Sequence, residues 1–134
     1  MKTLVLTVLL VMASTAYAAT LPIKSGTLQA RSDGNNVTVQ WGTTDESAVK
    51  EYGIERRPAT GSDFVLVATI APKGSNSYYE FVDQTAFKTT GTVYQYRVRV
   101  VDTYGAVTYS DPVTVTHNVS SVKRTWGSLK AMFR

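Results

Sequence analysis

Residues 94–100 read YQYRVRV, and the alternation is unbroken. Tyr94, Tyr96, Val98 and Val100 fall on one side of an extended chain, Gln95, Arg97 and Arg99 on the other. NVTVQW repeats the pattern, with Val37, Val39 and Trp41 opposing Thr38 and Gln40. Both stretches read as half-buried strands. Further β-type runs are LQAR (28–31), EYGIERR (51–57), FVLVATIA (64–71), YYEFVD (78–83) and DPVTVT (111–116), the last preceded by pairing around AVTYS (106–110). The connections SDGNN, ATGSD, PKGSNS, KTTGT and DTYG each combine Gly with Asn, Asp, Ser or Thr. Such residues tolerate positive φ or hydrogen-bond their own backbone, which is turn chemistry. About seven short strands, with no helical stretch among them, predict an all-β chain folded as an antiparallel sandwich.

Something other than disulfides must hold it, because the 134 residues include no cysteine. The start of the chain predicts export all the same. Lys2 is followed by the apolar run TLVLTVLLVMAS and then by Ala16, Tyr17 and Ala18, which matches a signal peptide cleaved after Ala18. The run falls short of the roughly 20 apolar residues that span a bilayer. The expected location is therefore extracytoplasmic, in the periplasm or at the cell surface. Removing residues 1–18 leaves 116 residues with 13 Lys and Arg against 10 Asp and Glu. That is enough chain for one domain with a self-sufficient core, held by packing and backbone pairing alone. The small basic excess lies largely at the C-terminus and does not point to nucleic acid. The expected division is a signal peptide (1–18), a linker (19–24), the sandwich (25–117) and a basic C-terminal segment (118–134).

The order VTVQW, YGIERR, FVLVATI, YYEFVD, TVYQYRVRVVDTYG and YSDPVTV resembles a fibronectin type III domain, in the variant found in bacterial secreted and cell-surface proteins. The resemblance covers roughly residues 25–116 and implies an immunoglobulin-like sandwich. It makes Trp41 the core tryptophan of the second strand and Tyr94 the tyrosine whose hydroxyl closes a corner onto nearby backbone. In place of the Leu-x-Pro that often precedes this tyrosine, the chain has AFKTTG. The fold serves spacing, adhesion and binding alike.

Catalytic chemistry finds little to work with. His117 is the only histidine, and its place just after the last strand predicts a solvated side chain. The carboxylates are scattered, and Asp33, Asp63 and Asp102 suit turn or capping roles. No metal, cofactor or enzymatic activity is expected. Arg56, Arg97 and Arg99 are candidates for a basic stripe beside Glu55 or Gln95, able to bind an anionic polysaccharide or an acidic partner. The plainer reading is cross-strand pairing on a solvated face. Tyr78, Tyr79, Tyr104 and Tyr109 add aromatic surface suited to carbohydrate or protein contacts, or to packing at strand ends. There is no Arg-Gly-Asp tripeptide, and the acceptor triplets at Asn36 and Asn118 read as chance matches for a bacterial chain.

Beyond Asn118 the period changes. Val122, Trp126, Leu129 and Phe133 recur at helical spacing, with Lys123, Arg124, Lys130 and Arg134 bordering or opposing them. Gly127 costs such a helix about 1 kcal/mol, and a helix this short is marginal alone. It needs a surface: its own sandwich, a partner protein, or an anionic membrane held weakly. The function expected from sequence is a secreted, non-catalytic binding module attached through this segment to a protein partner. Self-association as a subunit of a surface layer or filament is the competing reading.

Overall fold

The structure, a computed structural model, describes residues 20–61, 63–86 and 92–117. The signal-peptide prediction, the helical tail and all of its candidate residues (Val122, Lys123, Arg124, Trp126, Leu129, Lys130 and Phe133) lie outside those residues. Among the described residues the chain forms two antiparallel sheets. The strands are β1 (Gln29–Ser32), β2 (Val37–Gly42), β3 (Val49–Pro58), β4 (Val65–Ile70), β5 (Tyr78–Asp83), β6 (Thr92–Asp102), β7 (Val107–Tyr109) and β8 (Val113–His117). The smaller sheet has the order β1-β2-β5. The larger runs β4-β3-β6, and β7 and β8 both pair with β6.

The expectation of about seven strands meets eight because one lane is broken. Between β7 and β8, Ser110 donates its N–H to the Val98 carbonyl and accepts the Val98 N–H on its side-chain oxygen. Pro112 follows, with no N–H of its own to give. Ahead of β1, residues 22–24 lie against residues 42–44 through an isolated bridge between Ile23 and Thr43 and bonds from Lys24 N–H to Gly42 and from Thr44 N–H to Pro22.

Turn chemistry works as the sequence suggests. Asp33 accepts the N–H groups of Asn35 and Asn36 while Gly34 takes φ +87°. Asp102 accepts those of Tyr104 and Ala106 while Gly105 takes φ +85°. In both turns the carboxylate replaces ladder partners that the reversing chain gives up, and glycine removes the Cβ clash of the left-handed conformation.

The alternation in β2 and β6 is realised in full. Val37, Val39 and Trp41 face Tyr96, Val98 and Val100 in the core, joined by Tyr52, Ile54 and Tyr79. Trp41 is wholly buried, stacked on Tyr79 at 5.0 Å between ring centroids and edge-on to Tyr52 at 5.9 Å. Tyr94 is buried as well, but the backbone at 87–91 that a tyrosine corner would draw on lies outside the described residues.

Two polar clamps tie the sheets together in this cysteine-free chain. At one end Glu46, 5% exposed in the β2–β3 loop, accepts the hydroxyls of Tyr79 (2.6 Å, β5) and Tyr52 (3.0 Å, β3) and the Gly74 N–H (2.9 Å). At the other Asp83, fully buried at the end of β5, accepts from Arg56 (2.5 Å, β3), Tyr96 (2.6 Å, β6) and both the N–H and hydroxyl of Thr85. Glu46 thus collects hydroxyls from both sheets, while Asp83, on β5 of the smaller sheet, collects Arg56 and Tyr96 from the larger one. A third link joins the sandwich along its side, where Ser32 Oγ of β1 and His117 Nδ1 of β8 are 2.7 Å apart.

His117 therefore corrects the expectation of a solvated side chain, for it is completely buried. It shares the parity of Val113 and Val115 in VTVTH, so the strand that buries Val115 buries His117 too.

The clamps set an acid limit on stability. Burial alone would raise both carboxyl groups, but hydrogen bonds outweigh it. Tyr79, Thr43, Gly74 and Tyr52 hold Glu46 below its ordinary 4.5, and Thr85, Tyr96 and Arg56 hold Asp83 below 3.8. A depressed folded pKa contributes stability that is complete above the unfolded value and disappears as pH falls through the folded one. The urea midpoint is expected to stay level down to about pH 5 and to fall steeply below about pH 4. Glu46→Gln should flatten part of that acid limb, and a limb unchanged in this variant would remove Glu46 from the account. At the alkaline end burial and the Glu46 contact push the Tyr79 phenol up to about 12, while Tyr52 and Tyr96 are raised further. Stability from these phenols is complete below the ordinary tyrosine value of 10.0 and is lost as pH climbs past it.

Candidate functional site

The outer face of the larger sheet carries the side chains that alternate away from the core. Register fixes three successive rows across β3 and β6: Arg57 opposite Gln95, Glu55 opposite Arg97, and Gly53 opposite Arg99. On one flank β4 places Leu66 beside Glu55, with Phe64 just ahead of the strand. On the other, β7 places Tyr109 beside Arg99.

These residues form a stack. The Arg97 guanidinium lies between two rings, 4.0 Å from the centroid of Phe64 and 3.8 Å from that of Tyr109. Arg57 covers Phe64 at 4.4 Å. The order Arg57, Phe64, Arg97, Tyr109 alternates cation and aromatic ring across the sheet. Hydrogen bonds hold the cations in place, Arg57 Nε donating to Gln95 at 2.8 Å and Arg97 Nε to Glu55 at 2.7 Å. Arginine suits such a stack because its planar guanidinium lies flat on a ring while its edge still donates.

Gly53 makes room for the third cation. A Cβ there would lie 2.8 Å from Leu66 Cδ1 and 3.4 Å from Arg99 Cβ, so the bare backbone lets side chains of β4 and β6 approach each other across β3. Arg99 Nε is buried and has no hydrogen-bond partner among the described residues. Of the three arginines on this face only Arg97 is within ion-pair distance of a carboxylate among those residues. Leu66 and Tyr109 keep 46% and 44% of their surface exposed, so the face is amphipathic and open.

Arg56 does not join this stripe. Counted from Tyr52 and Ile54 it has the inward parity, and its guanidinium is held between the sheets by Asp83. The residue of EYGIERR that shares a face with Arg97 and Arg99 is Arg57. The alternation within that run was the signal that separates the two. Arg97 pairs with Glu55 across the strands, as the plainer reading of the stripe expected. Tyr79 is likewise not a surface tyrosine: it lies in the core on Glu46, whereas Tyr78 and Tyr109 are exposed and Tyr104, at the tip of the β6–β7 turn, is 95% exposed. Phe64 was the component least visible beforehand, because its partners on β3 and β6 are distant in sequence.

Among the described residues no group of three or more His, Cys, Asp or Glu side chains gathers to hold a metal ion. The arrangement on the outer face offers planar donors, ring faces and positive charge, which are means of recognition.

No family model matches the chain. An amylopullulanase from Thermoanaerobacter thermohydrosulfuricus is 30% identical over 95 residues, covering 70% of this chain and 6% of that protein. A pectate lyase from Erwinia chrysanthemi, solved in complex with tetragalacturonic acid, superposes with a TM-score of 0.53 at 26% identity, over 66% of this chain and 27% of that one. A fibronectin type III-like protein from Clostridium thermocellum gives 0.49 at 26% identity, over 65% of this chain and 83% of that one. The chain therefore spans only a small part of the two enzymes it is similar to.

Proposed function

We propose that this fibronectin type III-like domain is a non-catalytic, extracytoplasmic binding module that contacts polysaccharide through the outer face of its larger sheet. The observation that carries the reading is the stack of Arg57, Phe64, Arg97 and Tyr109, pre-ordered by Gln95 and Glu55 and open to solvent. Tyr109, at the end of the stack, has Arg97 on one face and is 44% exposed, so its other face can accept the apolar face of a sugar ring, and fixed guanidinium edges donate to the sugar's oxygens. Two similarities support the choice of ligand: the amylopullulanase and the pectate lyase are both enzymes named for polysaccharides, and this chain matches a minor part of each. Export follows from the signal-peptide pattern of residues 1–18, and the basic, apolar segment 118–134 is the element that attaches the module to a partner protein.

The test is binding of the exported chain to immobilised polysaccharides, including pullulan and polygalacturonate. Tyr109→Ala should weaken binding to whichever polymer is retained by about tenfold, the loss of roughly 1–2 kcal/mol expected for an aromatic contact, and Phe64→Ala should weaken it by releasing Arg57 and Arg97 from the ring between them. Melting temperatures should change little for Tyr109→Ala, because that ring is nearly half exposed. Retention of a polymer with equal strength by both variants would move the contact surface elsewhere.

A further inference from the structure

The cations on this face run in a line, and their neutralisation is incomplete. Arg57, Arg97 and Arg99 occupy three successive rows along the strand direction, so neighbours are roughly 7 Å apart and the outer two roughly 14 Å. Glu55 pairs with the middle one alone. Among the described residues Glu51, the next outward position of β3, makes no ion pair, and neither Arg57 nor Arg99 has a carboxylate within 4 Å. Two guanidiniums with no carboxylate partner among the described residues, with Arg97 and Tyr109 between them, call for a ligand with separated negative charges on an extended, ring-bearing chain.

We infer that the ligand is a carboxylated polysaccharide, a linear polymer of uronic acid units, bound along β3 and β6. Two of its carboxylates, separated by intervening sugars, meet Arg57 and Arg99, and those sugars lie against Tyr109 and the edge of Arg97. A neutral glucan would leave both outer cations uncompensated. Guanidinium geometry favours the planar carboxylate, which it can bind with two parallel hydrogen bonds. This inference rests on the outer face being the polysaccharide surface.

Surface-immobilised polygalacturonate, its fully methyl-esterified form, and pullulan are compared as probes for the exported full chain. Polygalacturonate should bind at least tenfold more tightly than either neutral polymer, and the difference should shrink as salt rises. Arg57→Gln with Arg99→Gln should abolish that preference while leaving the melting temperature within a few degrees, and the corresponding Lys pair should recover part of it. Absence of binding to polygalacturonate, or binding that survives the double Gln variant and so belongs to the basic C-terminal residues, overturns the inference. Equal binding to all three polymers that Tyr109→Ala removes also overturns it, but leaves the outer face as the polysaccharide surface.

Discussion

Asp83→Ala is expected to lower the unfolding free energy by about 3–5 kcal/mol, because it removes one partner of a buried charge pair and leaves the other behind. The Arg56 guanidinium would lose its carboxylate, and the Tyr96 hydroxyl, wholly enclosed between the sheets, would lose its acceptor. Thr85 would lose the contact that ends β5 in a turn. For a domain of this size such a loss corresponds to a fall in melting temperature of more than roughly 10 °C. Tyr96→Phe isolates one strand of the network and should cost about 1–2 kcal/mol, since it deletes a donor to a carboxylate that keeps its other three. Thermal and urea unfolding of the pair would decide the matter. A loss for Asp83→Ala no larger than that for Tyr96→Phe would mean that the clamp is incidental.

The second large effect concerns the ring at the centre of the core. Trp41→Ala should cost about 3–5 kcal/mol, the range for deleting a large buried aromatic. The cavity would open between Tyr79 and Tyr52, both of which are anchored by Glu46 and so poorly able to collapse into it. Trp41→Phe should cost much less, about 1–2 kcal/mol, because the stack on Tyr79 survives in part. The indole N–H is buried without a partner among the described residues, so its removal forfeits no bond seen there. Chemical denaturation of the two variants separates loss of volume from loss of the indole: similar losses would point to the N–H.

The framework of the antiparallel sandwich was legible because it is local. YQYRVRV and NVTVQW state their faces outright, and Asp33 and Asp102 mark their turns within four residues. What escaped notice depends on residues far apart. Glu46 reads as one of several loop carboxylates until β5 brings Tyr79 across from the other sheet, 33 residues away in the chain. Asp83 closes on Arg56 over a separation of 27. Arg56 and His117 are a different kind of miss. Their parity was readable from Ile54 and Val115, but charge and position at a strand end suggested solvent. The strand rule prevailed because Arg56 found Asp83 inside and His117 Nδ1 found Ser32. The outer face lies between these cases. Arg97 and Arg99 were visible as an alternating pair, whereas the stacking of Arg97 between Phe64 and Tyr109 needed three strands in register.

The break at Ser110 has a consequence for how copies of this protein meet. A continuous outer strand is a template on which another chain can extend the sheet. Here the lane beside β6 is interrupted where Ser110 turns its N–H inward to Val98 and Pro112 offers none. On the opposite side, the pairing of β4 with β3 slips between Ile54 and Glu55, which bends the rim bearing the exposed Val65 and Leu66. Both rims of the larger sheet are thus irregular, and strand-to-strand zipping would falter within a few residues on either. Copies brought to high local concentration therefore keep their apolar rims without recruiting one another, and their broad faces stay free.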